Sequence, residues 1–516
     1  MAAHHSWTSA RSGVKGNPLP LLPVPECRAM LAPKRIPTIL FLIADTGAGH
    51  RSAANAIRNA LLLLSRQDTP QPADRPAASS ADQEPSPAYR IEIIDAFAEC
   101  SRFPLRNWIN LYGPAIKYNP TLYGRVYHLT NHSLSFAAAE HFARPFIRRG
   151  LIRLLREVQP DIIVSIHPLL NHATLCAMRA LGVHVPFITV VTDLVSIHYS
   201  WIAREADCCI VPTEEARQLA LARGMPAERI QLLGMPIDPK FCLARVDRAV
   251  LRTRLQLDPA LPVVLLVGGG EGAGGLYTAV RAIMRAAISV QLLVVTGHNR
   301  RLYARLEQLQ QKYPPSMPIK LFGFVRNMPD LMHAADVIVT KAGPGTISEA
   351  MACGLPIILT GAVPGQEEGN ITYVTENGLG VLAETPAQLV TALQRLLQPD
   401  APELQQMRTN IARLSRPQAS FDIARLILSY LPDQALAGQE FARVQKNGSY
   451  MPLRRVRVSV KARIYRLRQQ LPQAVNAPLR QAHFPSLVAA RSLMLRGHRF
   501  GGVHLRRTNH QHEAQR

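Results

Sequence analysis

The sequence predicts an α/β protein in which two Rossmann-like, doubly wound domains face a cleft. The chain has 516 residues, about twice the length of a large single domain, so two domains are expected. Its 47% hydrophobic content supports buried cores and excludes a disordered chain. Two series of short apolar strands alternate with helical periodicity, and each series opens with a strand, a glycine-rich loop and a helix.

The first series predicts an N-terminal domain over residues 36–238. Residues 36–43 form an apolar β-rich run, the glycine turn 45–50 follows, and residues 52–64 have helical periodicity. An insertion at 67–88, rich in Pro, Ala, Ser and Asp, is predicted to be a disordered surface segment. Further strands are predicted at 89–94, 161–166, 187–192 and 208–211.

The second series predicts a C-terminal domain over residues 239–435, after a Pro- and charge-interrupted linker within 236–259. Residues 263–267 read as a strand, 268–275 as a glycine loop and 276–287 as a helix. Further strands are predicted at 290–296, 320–324, 336–340 and 356–359. Ligands of such sheets bind at the carboxyl ends of the strands, so the loops there are the candidate sites.

The two ends of the chain differ from these domains. Residues 1–35 are Pro-rich, have no secretory apolar core and are predicted to be disordered, with Met30 as an alternative start. Residues 436–516 form a basic tail. From Phe441 onward the chain has 16 Lys and Arg residues and a single acidic residue, Glu513, so this part holds +15 of the net charge of +23. The sequence contains no run of about 18 apolar residues, so no membrane-spanning helix is predicted. Seven cysteines without CxxC spacing are expected to be reduced thiols of a cytoplasmic protein.

Glycine marks the loop after the strand 263–267, where six of the eight residues 268–275 are Gly. Its backbone N–H groups and the following helix N-terminus suit a diphosphate, whereas the alternative is a tight turn that needs positive φ. The candidate residues are Gly268, Gly269, Gly270, Glu271 and Gly272. The sequence has no GxGxxG followed by an acid after the next strand, which argues against a dehydrogenase site. It also has no GxxxxGK[ST], which argues against a P-loop, and no DxD, which argues against a metal-dependent nucleotide-sugar site.

Two later loops carry polar groups. In 343–349, Thr346 and Glu349 have the spacing of a helix capping box, and the same helix start suits a phosphate with Glu349 beside ribose hydroxyls. Residues 364–370 bring together carboxylates and amides, which suit sugar hydroxyls. The alternative for this second loop is an ordinary solvated loop before a helix.

Several motifs together resemble the family of monogalactosyldiacylglycerol synthases and processive diacylglycerol glucosyltransferases, related to the lipid II-forming N-acetylglucosaminyltransferase. They are ADTGAGHRSAANAI (44–57), VTDLVSIHYSW (191–201), LLGMPID (232–238), GGGEGAGG (268–275) and the long segment 323–370, which includes KAGPGTISEA and PGQEEGN. The resemblance covers about residues 36–430 and implies a GT-B fold. It also implies inverting transfer from a UDP-hexose to diacylglycerol, with no obligatory metal or other cofactor.

The resemblance implies a role for each matching residue of the donor side. Residues 268–272 should approach the diphosphate, and Phe324 and Val325 should meet the uracil. The remaining donor residues are Gly345 and Thr346 at the phosphates, Glu349 at the ribose, and Gln366, Glu367 and Asn370 at the hexose.

The acceptor hydroxyl is a weak nucleophile that needs a base, and His50 is the first candidate because histidine titrates near neutral pH. Asp45 and Asp193, each at a strand end, are alternatives. Gly47, Gly49, Trp108 and Trp201 are expected on the acceptor side, with Trp201 as part of a lipid-facing surface.

Two segments suit an anionic membrane surface, and no specific nucleic acid is expected. Residues 103–149 mix aromatic and cationic side chains, and residues 453–468 of the tail mix cations with apolar residues. Their alternatives are a solvated helical subdomain and a tail that binds any polyanion. The expected location is cytoplasmic and peripheral on the inner face of the cell membrane.

Three other functions stay open: transfer to another lipid-linked acceptor, 2-epimerisation of a UDP-sugar, and non-catalytic binding of a UDP-sugar at a membrane. The sequence leaves glucose or galactose, processivity and oligomeric state undecided.

Overall fold

The computed structural model describes residues 36–45, 48–67, 89–110, 119–243, 246–268, 275–313 and 317–431. These residues form two six-stranded parallel sheets with helices on their faces, which confirms the predicted α/β class. The termini, the predicted insert beyond Gln67 and the basic tail lie outside the described residues.

The first sheet has the strand order β2-β1-β3-β4-β5-β6. Its strands are β1 (Thr38–Ile43), β2 (Arg90–Asp95), β3 (Ile162–Ser165), β4 (Phe187–Val190), β5 (Cys208–Val211) and β6 (Ile230–Leu232). Its helices are α1 (Ala48–Gln67), α2 (Ala96–Cys100), α3 (Leu105–Asn110), α4 (Pro120–Thr130), α5 (Ser133–Val158), α6 (Asn171–Leu181) and α7 (Glu214–Ala222).

The second sheet has the strand order β12-β11-β10-β7-β8-β9. Its strands are β7 (Val263–Val267), β8 (Gln291–Val295), β9 (Ile319–Phe322), β10 (Val337–Thr340), β11 (Ile357–Leu359) and β12 (Gly380–Leu382). The helices from the linker onward are α8 (Arg248–Arg254), α9 (Leu276–Ala286), α10 (Arg300–Lys312), α11 (Met328–Ala334), α12 (Pro344–Ala352), α13 (Glu368–Glu376), α14 (Pro386–Leu396), α15 (Pro402–Leu414) and α16 (Ala419–Ser429).

Burial on both faces explains why the central strands read as continuous apolar runs. Every residue of β1, β7 and β10 is buried between helical layers. The strand order reverses between β1 and β3 in the first sheet and between β7 and β10 in the second. Crevices form at such reversals, outside the carboxyl ends of the strands, so these two points position the candidate site.

Several elements differ from the sequence prediction. Helix α1 begins at Ala48, so His50 lies in its first turn and not in a loop. The short strands β6 and β12 were not predicted, because three residues carry too little periodicity to stand out. Helix α16, late in the chain, packs its apolar face against β1 and α1 of the first sheet. Among the described residues, no helix has the length and apolar character needed to cross a bilayer.

Candidate active site

Two histidines and a threonine meet where the first sheet reverses its strand order. His50 lies in the first turn of α1, after β1, and His167 follows β3. Their rings are 4.6 Å apart between centroids in an edge-to-face arrangement. Thr192, which follows β4, places its Oγ1 3.1 Å from Nδ1 of His50. The sheet order therefore brings three strand ends to the candidate base.

The environment keeps His50 neutral. Burial lowers the pKa of His50 to about 4, although a hydrogen bond with the Ile166 backbone and the charge of Asp45 oppose the shift. Burial also lowers the pKa of His167, and the neighbouring His50 adds to this effect. A neutral imidazole that donates to a carbonyl keeps a lone pair on its other nitrogen, which is the form that a general base requires.

Asp193 joins the two domains. Its carboxylate accepts a hydrogen bond from Trp201 Nε1 at 2.7 Å and, through the other oxygen, from Gln366 Nε2 at 3.3 Å. Burial raises the pKa of Asp193, while the bonds from Trp201 and Gln366 oppose the shift. Trp201 is fully buried, so the prediction that it forms part of a lipid-facing surface is wrong. Its large ring fills the core of the first domain and its N–H orients Asp193.

Asp45, the other alternative base, is held in a bidentate ion pair. Arg51 donates from Nε and Nη2 to the two Asp45 carboxylate oxygens, at 2.7 Å and 2.6 Å. Both carboxylate oxygens of Asp45 are thereby engaged by the guanidinium of Arg51, six positions later in the chain. The geometry favours His50 over Asp45 as the proton acceptor.

The polar segment after β11 is partly buried, and two of its polar residues are packed inside. Glu367 is buried, pairs with the Lys341 ammonium and accepts a hydrogen bond from the Val363 backbone N–H at 2.9 Å. Asn370 is buried and donates from Nδ2 to the Ala342 carbonyl at 2.8 Å. These contacts tie the loop that precedes α13 to the loop that precedes α12. A role of Glu367 and Asn370 at the hexose stays a prediction.

The loop after β10 leads directly into α12, whose N-cap is Gly343. Thr346 is the third residue of this helix, so the capping-box interpretation of Thr346 and Glu349 is wrong. A Cβ at Gly345 would meet no heavy atom within 4 Å, so the first turn is open for a ligand. Pro344 has no N–H, and the Gly343 N–H donates to the Lys341 carbonyl at 2.7 Å. The N–H groups of Gly345 and Thr346 are therefore the two in this turn that suit an anion.

Glu349 lies in the second turn of α12, in an unfavourable setting for a charge. Burial raises the pKa of its carboxyl group to about 7. The nearby Lys240 lowers this pKa, and Asp238 raises it. Near neutral pH the group is therefore divided between its protonated and charged forms, and it gains from any ligand that donates hydrogen bonds to it.

The remaining predicted residues occupy three regions. Phe324 is exposed and stacks on His298, with ring centroids 4.3 Å apart and planes 12° apart; Val325 beside it is partly buried. Gly268 directly follows β7, and Gly49 is exposed in the first turn of α1. The positions Gly47, Gly269, Gly270, Glu271 and Gly272, and the side chain of Trp108, lie outside the described residues.

Sequence reasoning missed three groups at the site: His167, Lys341 and Tyr123. His167 sits at the end of β3 by sequence, and Lys341 immediately precedes the GPGT loop, so position at a strand end was the available signal. Tyr123, whose hydroxyl lies 3.2 Å from Gln366 Oε1, had no such signal. Among the described residues, no three His, Cys, Asp or Glu side chains are grouped to hold a metal ion.

Known proteins match both halves of the chain. The family model for monogalactosyldiacylglycerol (MGDG) synthase matches residues 50–237, and that for the glycosyltransferase family 28 C-terminal domain matches residues 263–421. Monogalactosyldiacylglycerol synthase 3, chloroplastic, of Arabidopsis thaliana is 36% identical over 406 residues, covering 76% of this chain and 81% of that protein. Monogalactosyldiacylglycerol synthase, chloroplastic, of Spinacia oleracea is 35% identical over 405 residues, covering 76% and 72%. MurG of Acinetobacter baumannii aligns with a TM-score of 0.49 and 14% identity over 76% of this chain and 99% of that chain.

These relatives correct the predicted location. Both plant proteins are chloroplastic, whereas the sequence led to the inner face of a cell membrane. That expectation came from the lack of a secretory signal and from cysteine usage, neither of which distinguishes a cell membrane from an organelle.

Proposed function

Because this chain belongs to the monogalactosyldiacylglycerol synthase family of glycosyltransferases, we propose that it transfers a hexose from a UDP-sugar to the free hydroxyl of diacylglycerol. The names of the relatives support galactose as the hexose and monogalactosyldiacylglycerol as the product. The transfer inverts the anomeric centre and needs no metal ion.

One observation carries the proposal. The consecutive residues Thr192 and Asp193 contact His50 in the first domain and Gln366 in the second, at 3.1 Å and 3.3 Å. A transferase needs its base, which belongs to the acceptor side, next to the group that holds the donor sugar. Here His50, the candidate base, and Gln366, the candidate hexose contact, are linked through the neighbouring side chains of Thr192 and Asp193.

The reaction proceeds as a displacement at the anomeric carbon. The hydroxyl oxygen of diacylglycerol bonds to this carbon, the bond to the β-phosphate oxygen breaks, and its electron pair leaves with UDP. The hydroxyl proton passes to the unprotonated nitrogen of His50, which later returns it to water. In the free protein His50 has a pKa of about 4. The negative diphosphate raises this value when the donor binds, and so strengthens the base during transfer.

The leaving diphosphate is stabilised by the first turn of α12 and by the glycine loop after β7. Backbone N–H groups and the helix dipole offer positive charge without a metal ion. Lys341 adds a cation beside Gly343, since its Nζ lies 3.3 Å from the position that a Cβ of Gly343 would occupy. The uracil is expected at Phe324 and Val325, and the ribose at Glu349.

The acceptor reaches the site from an anionic membrane surface that contacts the first domain. A cavity of about 980 Å³ beside α5 and α6 is lined by Arg102, Arg144, Arg148, Arg149 and Arg179. Two phenylalanines near it are exposed, Phe103 at 76% and Phe142 at 59%. Cations that attract lipid phosphates together with exposed rings suit the headgroup region. The basic tail, outside the described residues, is proposed to add to this contact.

The test is a product assay with diacylglycerol vesicles and either UDP-galactose or UDP-glucose, read by mass spectrometry. Galactosyl-diacylglycerol from UDP-galactose is expected. His50→Ala should lower the rate of its formation by about 10²- to 10⁴-fold. His184→Ala, which changes an exposed histidine of the same domain, should leave this rate unchanged. No glycolipid from either donor, with UDP still bound, would refute diacylglycerol as the acceptor. No binding of UDP would refute the transferase mechanism.

A further inference from the structure

Helix α4 presents two different faces. Its exposed face is apolar, with Leu122, Val126 and Leu129 between 50% and 69% exposed at helical spacing. Its opposite face carries Tyr123 and Tyr127, which contact the loops after β4 and β11. Helix α4 therefore exposes one apolar face and uses another face to contact the loop that carries Gln366.

Gln366 is held by the first domain at both ends of its amide group. Tyr123 donates its O–H to Gln366 Oε1 at 3.2 Å, and Gln366 Nε2 donates to Asp193 at 3.3 Å. A carboxylate oxygen only accepts hydrogen bonds, so the amide must turn its N–H toward Asp193 and its oxygen toward Tyr123. These two hydrogen bonds fix the orientation of the Gln366 amide group.

Glycines allow α4 and the segment after β4 to lie very close to residues 364–369. This close packing restricts movement of the Gln366 side chain relative to Tyr123 and Asp193. A Cβ at Gly369 would lie 2.1 Å from Ser196 Oγ. A Cβ at Gly124 would lie 3.0 Å from Pro364 Cβ, and one at Gly365 would lie 3.0 Å from Cδ1 of Tyr127. Side chains larger than hydrogen at these positions would separate α4 and the Asp193 strand end from the Gln366 loop.

We infer that Tyr123 is a positioning residue which, with Asp193, orients the Gln366 amide so that both domains together select the donor hexose. The inference rests on the proposed function, because it takes Gln366 as a contact of the hexose. Two hexoses that differ at one hydroxyl present a donor or acceptor in different directions. A fixed amide distinguishes these directions, whereas an amide free to rotate fits both.

Tyr123→Phe removes only the hydroxyl that holds Gln366 Oε1 and keeps the ring that packs in α4. Loss of one neutral hydrogen bond of about 0.5–1.5 kcal/mol should weaken UDP-galactose binding about two- to tenfold. UDP binding should stay within about twofold, since UDP carries no hexose. The preference for UDP-galactose over UDP-glucose should narrow. Tyr313→Phe, a change at an exposed tyrosine directly after α10, is the matched control.

Isothermal titration of the full-length protein with UDP, UDP-galactose and UDP-glucose measures all three values without a lipid acceptor. An equal loss for UDP and UDP-galactose would show that Tyr123 only closes the domains, and unchanged affinities would show that it plays no part; either overturns the inference. The titration contains no acceptor, so its result does not depend on whether the protein transfers the hexose to diacylglycerol. Gln366→Ala should remove the same hexose-dependent part of the affinity, and UDP-galactose binding unaffected by that change would also overturn it.

Discussion

We expect the charged Glu349 side chain to destabilise the fold when no UDP-sugar is bound, and to contribute to binding of the UDP-sugar. Replacing it by Gln keeps the size of the side chain and removes the charge. In the wild type, burial raises the pKa of the carboxyl group from 4.5 to about 7. Between these values the folded protein holds more protons than the unfolded chain, so its stability falls as pH rises through this window.

The magnitude follows from the pKa values. A folded-state pKa of about 7 against 4.5 corresponds to about 3 kcal/mol of unfavourable free energy for the charged form. Because Glu349 is partly exposed, this value is an upper limit. Glu349→Gln should therefore match the wild type near pH 4.5 and be more stable by up to about 3 kcal/mol at pH 8.

Urea unfolding of both proteins at pH 4.5, 6 and 8 measures the difference, with Glu384→Gln, an exposed glutamate, as the control. The same variant should bind UDP about tenfold or more weakly, since a hydrogen bond to a charged group contributes about 1.5–3 kcal/mol. A stability difference that does not grow with pH would refute the electrostatic reasoning. Unchanged UDP affinity would refute the ribose role.

Three further predictions follow from other contacts. His50→Ala should lower kcat about 10²- to 10⁴-fold and leave UDP affinity within about twofold of the wild type. Since the pKa of His50 is about 4, the acid limb of the wild-type kcat/KM profile should lie below pH 6.5. A change in kcat of only about twofold would show that His50 is not the base. Lys341→Met should destabilise by about 3–5 kcal/mol because it leaves the Glu367 carboxylate buried without its cation, and adding Glu367→Gln should restore most of the loss in urea unfolding. Leu129→Glu should weaken co-sedimentation with anionic vesicles, whereas Leu243→Glu, an exposed leucine outside α4, should not; equal binding would exclude α4 from the membrane contact.

Local pattern was enough to predict the architecture. Continuous apolar runs followed by glycine loops and helical periodicity predict parallel strands with crossover helices, because such strands are buried on both faces. The candidate loops were therefore identified from the chain alone, and His50, Asp193, Glu349 and Gln366 all lie at or near carboxyl ends of strands. The ordered motifs also predicted the family that the comparisons show.

The partners of these residues were decided only by the tertiary structure. Asp193 and Gln366 are 173 positions apart, and Tyr123 and Gln366 are 243 apart, so no local periodicity relates them. The burial of Trp201 and the packing of α16 on the first sheet likewise depend on how the elements come together. Periodicity reports which face of an element is apolar; which element covers that face, and which polar groups meet there, is set by strand order and by the approach of one domain to the other.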